Sequence, residues 1–268
     1  MRRIEEAFAG ARRHRRAAFI PYLTAGDPSA KVTLDLVLAL ERAGADLVEL
    51  GVPFSDPLAD GEVNQRAAAR ALAGGTTLAG VLEIVRRIRD RSSIPLILFT
   101  YVNPLLRMGM EPFARAAAGA GVDGVLATDL PVEESHDYRK FLLSCGIAPI
   151  FLVAPTTAPA RLPAIAAACR GFVYYVARTG VTGERQGLPP ELREGVERLR
   201  ETTSLPIAVG FGVSTKSQVE EIAAFADGFV VGSALVKAVE DAGARSDLAE
   251  ALSRRVREIL PEGYGRSG

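Results

Sequence analysis

Cysteine, histidine and tryptophan are nearly missing from this chain of 268 residues, which has two Cys, two His and no Trp. Cys145 and Cys169 stand far apart and match no metal or redox spacing, so both are expected as buried thiols in apolar helical contexts. His14 lies in the basic run from Arg12 to Arg16 and His136 at an acidic helix start. Neither has a partner pattern, so surface positions are expected and metal chemistry is disfavoured. No apolar run reaches the ~18 residues of a membrane span. The opening residues, with Arg2, Arg3, Glu5 and Glu6, lack the apolar core of a secretion signal, so a cytoplasmic location is expected. An excess of one charge is missing too: Lys plus Arg and Asp plus Glu number 32 each. That balance gives no electrostatic pull toward nucleic acid or anionic membrane, and leaves room for a local phosphate site. No low-complexity segment or linker rich in Pro, Gly or Ser divides the chain, so 1–268 reads as a single domain.

What is present is a rhythm. Short apolar strands alternate with helical periods along the sequence. A leading helix, Ile4 to Arg16, precedes strand Ala18 to Thr24 and helix Lys31 to Ala43. Helices near Arg66 to Ala73 and Leu78 to Arg89, strand Pro95 to Tyr101, helix Pro112 to Ala120 and strand Gly124 to Thr128 follow. The second half runs through helix Glu133 to Ser144, strand Ala148 to Ala154, helix Pro159 to Cys169 and strand Phe172 to Ala177. It ends with helix Glu191 to Thr202, strand Pro206 to Val209, helix Lys216 to Ala226, strand Gly228 to Val231 and helix Leu248 to Leu260. Such alternation implies parallel strands with right-handed crossovers, buried on both faces. Eight strand–helix units in about 250 residues predict an α/β fold, a (β/α)8 TIM barrel with an extra N-terminal helix. A doubly wound open sheet is the alternative, but the turn Leu23-Thr24-Ala25-Gly26-Asp27 lacks its glycine fingerprint.

The stretch Leu47 to Gln65 holds the strongest chemical signal. It begins as an apolar strand, Leu47 to Val52, with one carboxylate, Glu49, inside it. A glutamate there costs free energy unless it is paired, neutralised or solvated in a cavity. The turn Pro53-Phe54-Ser55-Asp56-Pro57 follows, then Asp60-Gly61, which brings a second carboxylate to the same mouth. Taken alone, the glutamate is equally a structural ion pair and the Asp-Gly equally a plain turn.

Barrel chemistry sits at the C-terminal ends of strands, and Tyr22, Thr24, Glu49, Asp60, Tyr101, Asn103, Asp129, Tyr174 and Gly183 all fall on or just after such ends. Gly210-Phe211-Gly212, with Ser214 as the expected helix cap, and Gly232-Ser233, opening a short helix at Ala234, are suited to phosphate. Backbone N–H groups approach an anion where no Cβ intervenes, and a helix N-terminus adds a favourable dipole. The loop Arg178 to Pro190 is longer than an ordinary βα connection and contains three glycines. It reads as a lid that would bring Thr182 and Gly183 over the pocket, or else as a plain surface loop.

With these pieces placed, the sequence resembles the tryptophan synthase alpha chain family over nearly its whole length. The similarity runs through Phe-Ile-Pro-Tyr-Leu-Thr-Ala-Gly-Asp-Pro at 19–28, the stretch at 47–61 and Asp-Leu-Pro-Val-Glu-Glu at 129–134. It continues in Tyr-Tyr-Val-Ala-Arg-Thr-Gly-Val-Thr-Gly at 174–183, Gly-Phe-Gly-Val at 210–213 and Val-Gly-Ser-Ala at 231–234. It departs at Glu62-Val63-Asn64, where family members more often carry proline and apolar residues.

The resemblance implies retro-aldol cleavage of indole-3-glycerol phosphate to indole and glyceraldehyde 3-phosphate, a lyase step in tryptophan biosynthesis, with no cofactor on this chain. It implies Glu49 as general acid and base, Asp60 as partner of the indole N–H, and Gly183, Gly212, Gly232 and Ser233 around the phosphate. Tyr22, Tyr101 and Tyr174 would form the indole wall. It further implies an alpha2beta2 complex with a beta chain carrying pyridoxal phosphate, met through Pro53 to Pro57, Asn103 and Pro131. The absence of tryptophan agrees with a biosynthetic enzyme sparing its own product.

Two other readings compete. One is another phosphosugar barrel, such as an epimerase or an indole-glycerol-phosphate synthase. That would call for a histidine metal set or a strand-end lysine, whereas Lys31, Lys140, Lys216 and Lys237 all fall in helical stretches. The other is a barrel that regulates a partner with little chemistry of its own.

Overall fold

A computed structural model of the chain describes residues 1–176, 188–210, 212–243 and 245–264. The elements run α1 (Arg2–Arg13), β1 (Ala18–Thr24), α2 (Ala30–Arg42), β2 (Val48–Gly51), α3 (Glu62–Ala73), α4 (Leu78–Arg89) and β3 (Leu96–Thr100). Then come α5 (Val102–Met108), α6 (Met110–Ala120), β4 (Gly124–Ala127), α7 (His136–Ser144), β5 (Ala148–Ile150), β6 (Leu152–Val153), α8 (Leu162–Ala168) and β7 (Val173–Val176). The chain closes with α9 (Pro190–Arg200), β8 (Ile207–Gly210), α10 (Lys216–Ala223), β9 (Gly228–Val231), α11 (Ser233–Ala242) and α12 (Leu248–Ile259).

All pairings are parallel, and the strand order is β5-β4-β3-β2-β1-β9-β8-β7-β6. The two ends of that order are neighbours in sequence. The expected single strand Ala148 to Ala154 is interrupted at Phe151, so β5 pairs with β4 while β6 pairs with β7. The bent fifth strand therefore nearly closes the expected barrel, and its split into two raises the strands among the described residues to nine. Other corrections are local. α3 starts at Glu62, four residues before the expected helix, and α5 was not anticipated.

Strand alternation separates two cores. Phe19, Leu50, Leu98, Val125, Val173, Val209 and Phe229 pack outward against the helices. Ile20, Tyr22, Ile97, Leu126, Ile150, Phe172, Tyr174 and Val230 fill the barrel interior. Gly124 lies level with Ile97 in the ladder, and a Cβ there would come within 2.9 Å of Ile97 and 3.0 Å of Ile150, so a small residue is needed to seat both. The N-terminal helix joins the interior: Ile4 and Phe8 are buried, with the Phe8 ring 5.5 Å from Phe172. Each such burial stabilises by roughly 2 kcal/mol. The helix blocks one end of the barrel and leaves the C-terminal strand ends as the mouth.

The blocked end is held by a repeated ionic device. Asp46, Asp123 and Asp227 stand just before β2, β4 and β9, and each accepts the backbone N–H at the start of a neighbouring strand: Phe19 at 2.8 Å, Leu96 at 3.0 Å and Ile207 at 2.9 Å. An arginine neutralises each, respectively Arg16 at 2.5 Å, Arg89 at 2.6 Å and Arg200 at 2.8 Å. Arg3 and Arg12 of α1 reach Asp123 and Asp227, so the plug is tied to the same carboxylates. Among the described residues no single helix is long and apolar enough to cross a membrane.

The Asp123–Arg89 pair is largely buried, with side chains 4% and 12% exposed. Asp123→Ala should therefore lower unfolding stability by about 3 to 5 kcal/mol, because it strands a guanidinium and a strand N–H. Glu83, half-exposed on α4 beside Arg86 and Arg87, should cost under about 1 kcal/mol when changed to Ala. Urea denaturation of the two variants checks the contrast.

Candidate active site

Glu49 lies in the middle of β2, paired in the ladder with Tyr22 of β1 and Ile97 of β3. Alternation points it into the barrel. It is 0% exposed, and neither carboxylate oxygen has a hydrogen-bond partner among the described residues. Burial alone pushes its pKa up to about 8, so the carboxyl is protonated at neutral pH. Among the described residues no cation faces it, so the structural ion pair left open by the sequence is not seen there.

Tyr22 and Tyr174 share this interior and are 7% and 6% exposed. Each needs a glycine on the next strand, since a Cβ at Gly51 would overlap the Tyr22 hydroxyl and one at Gly210 the Tyr174 hydroxyl. The Tyr22 ring meets Phe99 edge-on at 5.5 Å. Burial raises both phenol pKa values, and the field of Glu49 and Asp60 adds to the effect, which places these four side chains in one electrostatic neighbourhood.

Asp60 ends the loop that follows β2. The Tyr101 hydroxyl donates to Asp60 Oδ2 at 2.8 Å and accepts the Ala59 N–H at 3.0 Å. Gln65 Nε2 donates to the Asp60 carbonyl at 2.8 Å, and the Tyr101 ring packs 5.1 Å from Phe54. Desolvation raises the Asp60 pKa, while hydrogen bonds from Tyr101 and Asn64 pull it back. Tyr101 thus does more than line a wall, because it grips the second acid. The two carboxyls share a mouth but differ in setting: one dry and unbonded, the other held by donors.

Gly212 and Gly232 follow the last two strands, as the sequence places them. β8 and β9 are adjacent, with Gly210 level with Val230, so Gly212 and Gly232 follow neighbouring strand ends. Gly212 has φ +72°, a left-handed conformation strained for any side chain. The helix after β8 is capped by Thr215, not Ser214: Thr215 accepts the Gln218 N–H, and the Gln218 side chain accepts from Ser214 N and Thr215 N. α11 differs. Its N-cap is Gly232, with no side-chain cap, so the donors of its first turn, starting at Ser233, have no side chain competing for them.

An arginine lattice joins α11 to α3. Arg70 bonds both oxygens of the buried Asp27 at 2.9 and 2.7 Å and Glu240 at 2.8 Å, and Arg66 bonds Glu240 at 2.8 and 2.9 Å. These bonds pull the Glu240 pKa down to about 2.

Thr182 and Gly183, with the rest of the expected lid up to residue 187, lie outside the described residues, as does Phe211. The four lysines fall on α2, α7, α10 and α11, as expected, and none on a strand. His14 and His136 are exposed. Cys169 is buried, with its thiol pushed up to about 12 by desolvation, whereas Cys145 is only partly covered. Among the described residues no cluster of His, Cys, Asp or Glu is placed to hold a metal ion. Sequence reasoning missed the Tyr101–Asp60 bond, which depends on how the loop after β2 folds over β3.

Comparison with known proteins bears on the family and the fold. Residues 8–259 match the family model described as tryptophan synthase alpha chain. A tryptophan synthase alpha chain of Solibacter usitatus is 48% identical over 265 residues, covering 99% of each chain. A crystal structure of tryptophan synthase subunit alpha from Legionella pneumophila superposes with a TM-score of 0.88 at 36% identity, covering 96% of each chain. A structure of the tryptophan synthase a2b2 complex from Pyrococcus furiosus gives 0.86 at 41% identity, covering 90% of this chain and 97% of that one.

A dry, protonated Glu49 weakens the fold as pH rises. With a folded pKa of about 8 against 4.5 for a solvated glutamate, stability is full below pH 4.5 and falls until pH 8, where the group ionises in both states. Glu49→Gln should remove this dependence and stabilise the protein by up to about 3 kcal/mol at pH 7. Parallel denaturation of both forms from pH 4 to pH 9 reads the effect, and curves of identical pH slope would contradict it.

Proposed function

Since the chain belongs to the tryptophan synthase alpha chain family, we propose that its barrel mouth cleaves indole-3-glycerol phosphate to indole and glyceraldehyde 3-phosphate, with Glu49 and Asp60 as the working groups. The observation that carries this reading is the fully buried, unpartnered Glu49, whose pKa of about 8 leaves it protonated at pH 7. A carboxyl in that state can give a proton and take one back.

Glu49 delivers its proton to indole C3, and positive charge appears at the ring nitrogen. Asp60, as carboxylate, accepts the indole N–H and stabilises that charge. The Glu49 carboxylate, newly formed, then removes the proton from the glycerol hydroxyl on the carbon attached to C3. The carbonyl of glyceraldehyde 3-phosphate forms, the bond to C3 breaks, and its electron pair restores the neutral indole. Glu49 ends protonated, ready for another turnover. Tyr22, Tyr101 and Tyr174 shape the indole cavity. Because Glu49 is 0% exposed, a substrate reaches it only after groups at the mouth shift.

Gly212, Gly232 and Ser233 receive the phosphate through backbone N–H groups, with Gly183 and Thr182 closing over it. The uncapped start of α11 supports this reading. The nine strands of one sheet support treating 1–268 as a single domain. Location in the cytoplasm follows from the biosynthetic role.

The partner is a tryptophan synthase beta chain in an alpha2beta2 complex, and pyridoxal phosphate belongs to that chain. Leu58, 92% exposed next to Pro57 in the loop after β2, and Leu106, 57% exposed three residues after Asn103 on α5, offer apolar surface for it. The Tyr101 hydroxyl links the Leu58 loop to the end of β3, so a partner seated there presses on the segment that holds Asp60.

Glu49→Gln should lose turnover by about 10³-fold or more while substrate still binds. For the parent enzyme kcat/KM should be bell-shaped in pH, falling on the alkaline side near pH 8 as Glu49 loses its proton and on the acid side as Asp60 gains one. Stopped-time indole release across the pH range measures both, and normal turnover by the Gln variant would reject the assignment. At the phosphate end, Ser233→Ala should be mild and Gly212→Asp severe, since the latter adds strain at φ +72° and a negative charge. Competition by glycerol phosphate measures the two, and equal losses would contradict backbone recognition.

A further inference from the structure

We propose that Arg70 is a positioning residue for this reaction: by holding Asp27 and Glu240 with one guanidinium, it sets the spacing between the helix that follows Asp60 and the helix that receives the phosphate. This rests on the reading of the mouth given above, with the indole beside Asp60 and the phosphate at the start of α11.

Arg70 Nε and Nη2 donate to the two oxygens of Asp27 at 2.9 and 2.7 Å, and Nη1 donates to Glu240 Oε1 at 2.8 Å. Arg66, one turn earlier on the same face of α3, donates to both Glu240 oxygens at 2.8 and 2.9 Å. Three segments are thereby clamped together: the loop after β1, α3 and α11. The arrangement suits arginine and not lysine, since a planar fork can grip one carboxylate with two N–H groups and still turn a third to another. The Asp27 side chain is 3% exposed, so this contact is shielded from water. Its loop is fixed as well: the Gly26 N–H donates to Thr33 Oγ1 at 2.9 Å, and a Cβ at Gly26 would overlap the Thr76 side chain just beyond α3.

Each helix carries one arm of the mouth. Gly61 caps α3 directly after Asp60, and Gln65 Nε2 in its first turn donates to the Asp60 carbonyl at 2.8 Å. Gly232 caps α11, and its carbonyl accepts the N–H groups of Leu235 and Val236 at 2.8 and 3.1 Å. Arg66 stands about 6 Å along α3 from its start, and Glu240 about 11 Å along α11. Helices this short behave as rigid rods. A shift between Arg70 and Glu240 therefore reappears between Asp60 and Ser233.

Apolar packing gives α3 little grip of its own. Its buried residues are Ala67, Ala68 and Ala71. A face of methyl groups has shallow grooves, so a neighbouring helix can slide where larger side chains would interlock. The lattice supplies what that face lacks. It also differs from the aspartate device of the blocked end: among the described residues Asp27 and Glu240 accept no strand N–H, and their cationic partners are Arg66 and Arg70 of α3 and Lys237 of α11.

The test separates a spanning ligand from its parts. Indole, glycerol phosphate and an indole joined to phosphate by a propyl chain without hydroxyls are titrated calorimetrically into the full chain, and turnover is measured on indole-3-glycerol phosphate. Arg70→Lys and Glu240→Gln are the variants, the second serving if the first fails to fold. Each should leave indole and glycerol phosphate at the parent affinity, because each part touches one arm. The propyl-linked ligand should weaken by about tenfold, and kcat/KM should fall by about tenfold to a hundredfold. Arg200→Ala, which breaks an ion pair at the blocked end, should lose stability yet show no such split. Losses shared by the parts and the whole, no loss on any ligand, or the same split in Arg200→Ala would overturn the proposal. A parent chain that neither binds the propyl-linked ligand nor cleaves indole-3-glycerol phosphate would instead overturn the reading of the mouth.

Discussion

The burial of one carboxyl sets the terms for this molecule. Glu49 occupies a position in β2 where an apolar residue would pack well, and among the described residues no cation or hydrogen-bond donor compensates it. Its only inexpensive state is the neutral acid, and that state is what a proton donor needs. Everything near it preserves dryness. Tyr22 and Tyr174 close in because glycines at 51 and 210 give their hydroxyls room, and Ile97 stands beside Glu49 on the next strand. A stabilising substitution is thereby kept out by function.

The rest of the barrel separates the work of stability from that of chemistry. At the blocked end, carboxylates are paired with arginines and strand N–H groups, and α1 fills the interior. At the mouth, carboxyls are left for a ligand. The Arg66–Arg70 lattice to Asp27 and Glu240 connects the two arms of the mouth, since α3 follows Asp60 and α11 begins at Ser233. In the proposed reaction, a substrate with an indole at one end and a phosphate at the other would span the same two helices.

Much of this was legible before any coordinates. The boundaries of β1, α4 and β9 follow from apolar runs and breakers, and Glu49 stood out as the one charge in a strand. What sequence pattern could not supply is bending and contact. Phe151 interrupts a run that reads as one continuous strand, because closing the barrel requires the fifth strand to face different neighbours at its two ends. α5 is too short, and interrupted by Pro104, to show a clear helical period. The cap at Thr215 was displaced by one residue because Ser214 and Thr215 are equally good candidates until Gln218 selects between them. The grip of Tyr101 on Asp60 depends on a loop folding over the next strand, and no local spacing encodes that. Thr182 and Gly183 lie outside the described residues, so their part rests on family membership and the sequence.

The account stands on the protonation state of a single group, and that can be read directly. A carbon-13 titration of glutamate carboxyls in the free chain, with the Glu49 signal assigned by its loss in Glu49→Gln, should show one carboxyl that stays protonated through neutral pH and titrates near 8. A Glu49 signal that titrates at the ordinary glutamate value, about 4.3, would mean the carboxyl is solvated or paired, and the general-acid role derived from its burial would fall.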